Sequence, residues 1–141
     1  PPYMINGVYT DKKYCNDINS MVVFAPSNYS LLFLLGILNS RLISFWFYKV
    51  FDKLQRGIFP QFKVNELSQF PIPQLDLSKK ADKGKHDRFV SLVEKINNQS
   101  LPDNELNKIN EQIEKIVYEL FGLSKDEIAV IENSYQSTRN E

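Results

Sequence analysis

Between Ser30 and Phe51 the chain reads SLLFLLGILNSRLISFWFYKVF, twenty-two residues with only two charges, Arg41 and Lys49. A stretch this apolar must be hidden from water, in a bilayer or in a protein interior. The bilayer is excluded on length: a span needs about 20 predominantly apolar residues, and the uninterrupted run ends at Leu38, before Asn39, Ser40, Arg41 and Ser44. An arginine held in hydrocarbon would cost roughly 2.5 kcal/mol or more. The stretch therefore predicts one long helix, apolar nearly all round and enclosed by protein on most faces. Ser27 or Ser30 is its expected N-cap. Phe45, Trp46, Phe47, Tyr48 and Phe51 make its carboxyl end the heaviest part of the core. A chain of 141 residues can bury roughly 68 to 70% of its unfolded surface, enough for a core around such a rod without disulfides.

The flanks set the expected fold class. Val8 and Tyr9, then Met21 to Phe24, are β-branched or aromatic and are bounded by Gly, Asn, Asp and Pro, which predicts two short strands before the helix. After it, Pro60, Pro71 and Pro73 break helical continuity and predict an extended edge segment, a turn of helix near Asn65 to Ser68 and a polyproline-II exit. The charged segment 76–88, with Gly84 inside it, reads as a surface linker with His86 in a solvated loop. Beyond it, Phe89, Leu92, Val93 and Ile96 recur with helical spacing, and Leu106, Ile109, Ile113, Ile116 and Leu120 form an a/d seam opened by Asp103 as a cap and stopped by Gly122. Ser124 and Glu127 form a capping box for a last helix through Ile128 and Ile131. The expectation is an α+β protein: a small sheet packed on one long buried helix within 1–75, a linker over 76–88, and an all-helical hairpin and tail over 89–141.

Charge and chemistry narrow the function. Seventeen Lys/Arg balance seventeen Asp/Glu, which excludes a strongly basic nucleic-acid coat. Residues 1–70 nevertheless carry net +3 and residues 71–141 net −3. The single Cys15 cannot pair within the chain and is expected to be a small packed residue. With no secretory signal at the amino end, it predicts a reducing, cytoplasmic setting. No catalytic residues are expected. His86 has no second histidine or cysteine at ligand spacing, so no metal site is expected, and no glycine-rich phosphate loop or nucleophile elbow is present. Glu105 and Lys108 sit three apart, one too many for a nuclease carboxylate motif, and Pro1-Pro2-Tyr3 is only a weak likeness to a methyltransferase PPY loop.

The segment from Lys53 to Lys63, KLQRGIFPQFK, is the candidate site. It sets Lys53, Arg56 and Lys63, with the amides of Gln55 and Gln61, around Gly57 directly after the buried helix. Arginine can donate two hydrogen bonds to guanine, glutamine matches adenine, and lysine neutralises phosphate, each good base contact being worth about 1 to 3 kcal/mol of discrimination. Lys12 and Lys13, beside Tyr14 and Asn16, are candidate phosphate contacts. Composition alone also permits a solvated surface loop.

The order of the pieces GVYTDKKYC, LLGILNSRL, RGIFPQFKVNELSQFPIP and VYELFGLSKDE closely resembles the TaqI-like C-terminal specificity domain of type II restriction-modification adenine methyltransferases. The KVNELSQFPIP exit into a helix is also similar to type I specificity subunits. The resemblance runs from about Gly7 to Glu132. It implies a target recognition module that reads duplex DNA for a neighbouring methyltransferase domain or subunit, and in fused enzymes a nuclease. S-adenosylmethionine would belong to that partner, not to this chain. It places Lys53, Gln55, Arg56, Gln61 and Lys63 on the DNA side. Because family members begin with further strands, it also implies a carboxyl-terminal piece of a larger enzyme. The competing expectation is a protein-interaction module, a homodimer made by a coiled coil through the 106–120 seam; an internal hairpin would use up that seam.

Overall fold

The computed structural model describes residues 5–13, 15, 21–23, 30–51 and 63–137. The apolar stretch is not one rod. It is two helices, α1 (Leu31–Leu38) and α2 (Arg41–Val50), bent by 62° across Asn39 and Ser40. The break is local chemistry. Ser40 Oγ accepts the Ile43 N–H at 3.3 Å as the N-cap of α2 and donates to the Ile37 carbonyl at 2.7 Å. Asn39, the C-cap of α1, turns its side chain outward to Gly7, accepting the Gly7 N–H at 2.6 Å and donating to the Gly7 carbonyl at 2.9 Å. Short polar side chains that bond the backbone this way compete with helix continuation. Ser30 is the N-cap residue of α1.

The expected α+β class is corrected as well: among the described residues every regular element is helical and none is a strand. Val8, Val22 and Val23 are 84%, 54% and 48% exposed, and Phe24 lies outside the described residues. β-branched residues favour a pleated surface only when neighbouring strands pack against them, and here no described segment does so. The amino-terminal stretch is held by side chains instead, Ile5 N–H to Ser44 Oγ at 3.1 Å and the Gly7–Asn39 pair. Cys15 is exposed, not packed.

Four further helices follow: α3 (Val64–Leu67), where a helical turn was expected, α4 (Lys80–Asn98), α5 (Asp103–Leu120) and α6 (Lys125–Ser137). The charged segment read as a linker is helical from Lys80 onward, and one face of that helix, with His86, Phe89 and Val93, packs on α1. Phe33 stacks on His86 with centroids 5.2 Å apart and meets Phe89 edge-on at 5.4 Å. Gly36 completes the fit: a Cβ there would lie 2.6 Å from the Phe89 ring and from Val93. As α1 advances from Phe33 to Gly36 its contacts move from His86 to Val93, so α1 and α4 run in the same direction. His86 is thus a helix residue covering the core, and not a loop histidine.

α4 and α5 form a hairpin, closed by Lys95 Nζ and Glu105 Oε1 at 2.6 Å. Ile109, Ile113 and Ile116 are buried in the same core as Phe33, Ile37, Ile43, Phe47 and Phe89. The N-cap of α5 is Pro102, with Asp103 inside the first turn. α5 ends at Gly122, whose φ of 65° is one that a glycine adopts without strain, and the Leu123 N–H closes onto the Tyr118 carbonyl at 3.0 Å. The Ser124–Glu127 capping box forms, at 2.8 and 3.4 Å. No single helix among the described residues is long and apolar enough to cross a membrane. The α1–α2 pair comes nearest by composition, and α4, α5 and α6 cover it.

Candidate nucleic-acid interface

The candidate segment leaves the end of α2 and returns at α3, and both of its feet rest on one aromatic cluster. Phe51, the C-cap of α2, lies 5.6 Å from Trp46 and 5.5 Å from Phe47, centroid to centroid. Phe70, just past α3, lies 5.5 Å from Trp46 and 5.6 Å from Phe47. Phe47 is fully buried. The edge-on and tilted geometries are those aromatic rings prefer. Phe51 and Phe70, which flank the candidate segment and α3 in the sequence, are thus fixed by the same pair of rings.

Lys53, Gln55, Arg56 and Gln61 lie outside the described residues. Lys63 stands at the second foot as the N-cap residue of α3. Its N–H donates to Glu66 Oε2 at 3.2 Å, the carboxylate is buried, and the Lys63 residue is exposed. Lys12 and Lys13 are exposed on the segment that Ile5 and Gly7 anchor to the α1–α2 bend, and the Lys12 N–H donates to Thr10 Oγ1 at 3.1 Å. No contact among the described residues joins Lys12 or Lys13 to Lys63.

A polar cluster that the sequence pattern did not reveal locks this module to the later helices. Arg41, in the first turn of α2, donates to Glu111 of α5 at 2.6 Å and to Glu132 of α6 at 2.9 and 3.0 Å, and its guanidinium lies 4.6 Å from the Tyr135 ring centroid. The Arg41 backbone N–H donates to Glu114, at 3.0 and 3.2 Å to its two oxygens, so a side chain of α5 satisfies the start of α2. Tyr118 donates to Glu132. Burial pushes the Glu114 carboxyl up to about 7, against the pull of the Arg41 N–H and charge and with the push of Glu132 and Glu111. Burial, then the bond to Glu132, raises Tyr118. The signal available in the sequence was slight: Glu114 beside Ile113 and Glu132 beside Ile131, acids set next to core positions.

A model of the TaqI-like C-terminal specificity domain family matches residues 4–72. Residues 4–72 are a TaqI-like C-terminal specificity domain. No curated protein and no solved structure matches the chain. The specificity domain comprises the amino-terminal anchor, α1, α2, the 52–62 segment and α3. Its Arg41 is the residue gripped by α5 and α6, which lie beyond the match. A specificity domain supplies DNA sequence specificity in restriction-modification enzymes and is not their catalytic part.

Proposed function

We propose that the chain reads a short sequence in double-stranded DNA and sets a neighbouring adenine methyltransferase, with or without a nuclease, on that site. The family match over 4–72 carries the reading, and the seating of Phe51 and Phe70, on either side of the candidate segment, against Trp46 supports it: fixed flanks reduce the entropy lost on meeting a duplex. In this account Gln55, Arg56 and Gln61 contact base edges, and Lys53, Lys63, Lys12 and Lys13 contact phosphates. S-adenosylmethionine is assigned to the neighbouring methyltransferase and not to this chain. A protein with this task works in the cytoplasm, beside the DNA it reads. The coiled-coil alternative loses its surface, because Ile109, Ile113 and Ile116 are buried in the chain's own core.

The test is methylation of a randomised duplex library by the enzyme that carries this domain. Arg56→Ala and Gln55→Ala are expected to relax the preference at individual base pairs by roughly tenfold or more each, with S-adenosylmethionine binding intact. Lys12→Ala, Lys13→Ala and Lys63→Ala are expected to weaken binding to all sequences alike, each lowering the salt slope by about 0.9 for the phosphate it no longer neutralises. An unchanged preference in both Arg56→Ala and Gln55→Ala rejects those residues as readers.

A further inference from the structure

The net −3 of residues 71–141 conceals a strongly polarised surface. Lys79 to Arg88 carries five Lys/Arg against two Asp, net +3, whereas residues 89–141 carry net −5. The basic stretch opens α4, and Lys79, Lys80, Lys83, Lys85 and Arg88 are all exposed. The acids within it already have bonds. Asp82 accepts the Asp76 N–H at 3.2 Å, and Asp87 lies 3.0 Å from His86 Nδ1 and 3.1 Å from Lys83 Nζ. The Lys83–Asp87 pair is exposed on both sides and holds Lys83 only weakly.

Gly84 sits in the middle of that face. A glycine inside an exposed helix lowers its stability relative to alanine, and a packing neighbour usually accounts for it, as Phe89 and Val93 do at Gly36. At Gly84 a Cβ would meet nothing within 4 Å. No described part of the chain needs this residue to be glycine. Lys80 stands one turn before it and Arg88 one turn after, about 12 Å apart at 1.5 Å per residue. The glycine makes a notch between two cations on a helix that packs through its opposite face onto α1 of the specificity domain.

Resting on the DNA-reading assignment above, we infer that the amino-terminal half of α4 is a second DNA contact, with Lys80, Lys83 and Arg88 holding the sugar-phosphate backbone and Gly84 admitting it to the helix surface. This contact carries no sequence information. It would fix the duplex on the specificity domain while the 53–63 segment reads bases. Glycine is used where a partner's backbone must come close, and three cations spread over about 12 Å of helix match a phosphate ridge better than a point-like anion.

Two variants of the 141-residue chain test it, with binding measured to the preferred and to a scrambled duplex across a salt series. Lys80→Gln/Lys83→Gln/Arg88→Gln keeps helix-forming residues. It is expected to weaken both duplexes equally, by at least about tenfold at low salt, and to make the log–log salt slope shallower by about 2 to 3. Gly84→Leu changes no charge. It is expected to raise the melting temperature, yet to lower affinity for both duplexes and flatten the slope by about 0.9, the value of one phosphate. Wild-type affinity and slope in the triple variant overturn the α4 contact while a retained sequence preference keeps the reading assignment. Unchanged binding in Gly84→Leu overturns the close approach. If the wild type shows no preference between duplexes but the triple variant still loses slope, the reading assignment fails and the α4 contact stands. Failure of the wild type to bind either duplex overturns both.

Discussion

Phe47→Ala is expected to destabilise the protein by about 3 to 5 kcal/mol, the usual cost of emptying a fully buried aromatic site. For a chain of this size that corresponds to a fall in melting temperature of roughly 10 to 20 °C. Phe47 has no exposed surface and packs against Tyr48, Phe51 and Phe70, so its loss opens a cavity beneath both feet of the 52–62 segment at once. Sequence discrimination should therefore weaken at temperatures where the variant is still folded. Phe47→Leu, which keeps most of the apolar volume, should recover much of both. Thermal melts alongside a two-duplex binding comparison check this. A fall of less than about 3 °C in Phe47→Ala would mean that Phe47 is not the keystone of the clamp.

The second large effect is electrostatic. Arg41→Ala leaves Glu111, Glu114 and Glu132 grouped without their cation, and removing one partner of a buried pair costs about 3 to 5 kcal/mol. Glu111 is more than half exposed, so its share is discounted for solvent screening and the expected cost is about 2 to 4 kcal/mol at pH 8. The cost should depend on pH. Glu114, ordinarily near 4.5, is pushed up to about 7 in the folded chain. Between those values the folded state holds a proton that the unfolded state has released, so this group's contribution is complete below about 4.5 and is lost as the pH rises through 7. The loss in the wild type is on the order of 3 kcal/mol. Without the Arg41 charge the Glu114 carboxyl titrates higher still, so Arg41→Ala should lose more stability at pH 8 than at pH 5. Glu114→Gln, whose amide oxygen can still accept the Arg41 N–H, should remove most of the slope between pH 5 and 8. Urea unfolding at the two pH values reads these directly, and an identical pH slope in wild type and Glu114→Gln contradicts the burial of a titrating Glu114.

What the sequence showed and what it hid divide along physical lines. Features written in neighbouring residues were legible: the turn at Asn65, the glycine stop at Gly122, the Ser124–Glu127 box and the seam from Leu106 to Leu120. The order of motifs as far as Ile72 also made the family legible, whereas the resemblance drawn from there to Glu132 lies beyond the match. The bend at Asn39 and Ser40 was hidden because hydropathy weighs the apolar residues on either side, whereas the break is made by two short polar side chains bonding backbone. Lys80 to Arg88 was misread because charge density marks an exposed face as readily as a loop; the apolar evidence, Phe33 against His86, is 53 residues distant in the chain. The strand expectation failed since Val8 and Met21 to Val23 advertise a preference that no described neighbour meets. Arg41 and its glutamates are 70 to 91 residues apart, a separation that no local pattern can register.

The central claim is that the segment from Lys53 to Lys63, between the aromatic anchors Phe51 and Phe70, is where base pairs are told apart. The most direct measurement compares affinity for the preferred duplex with affinity for a scrambled duplex, in the wild type and in Lys53→Ala/Gln55→Ala/Arg56→Ala/Gln61→Ala. The affinity ratio is predicted to collapse to about one in the quadruple variant, since each base-reading side chain removed takes with it about 1 to 3 kcal/mol of discrimination, while the melting temperature stays close to that of the wild type. A ratio that survives the four substitutions would contradict the claim.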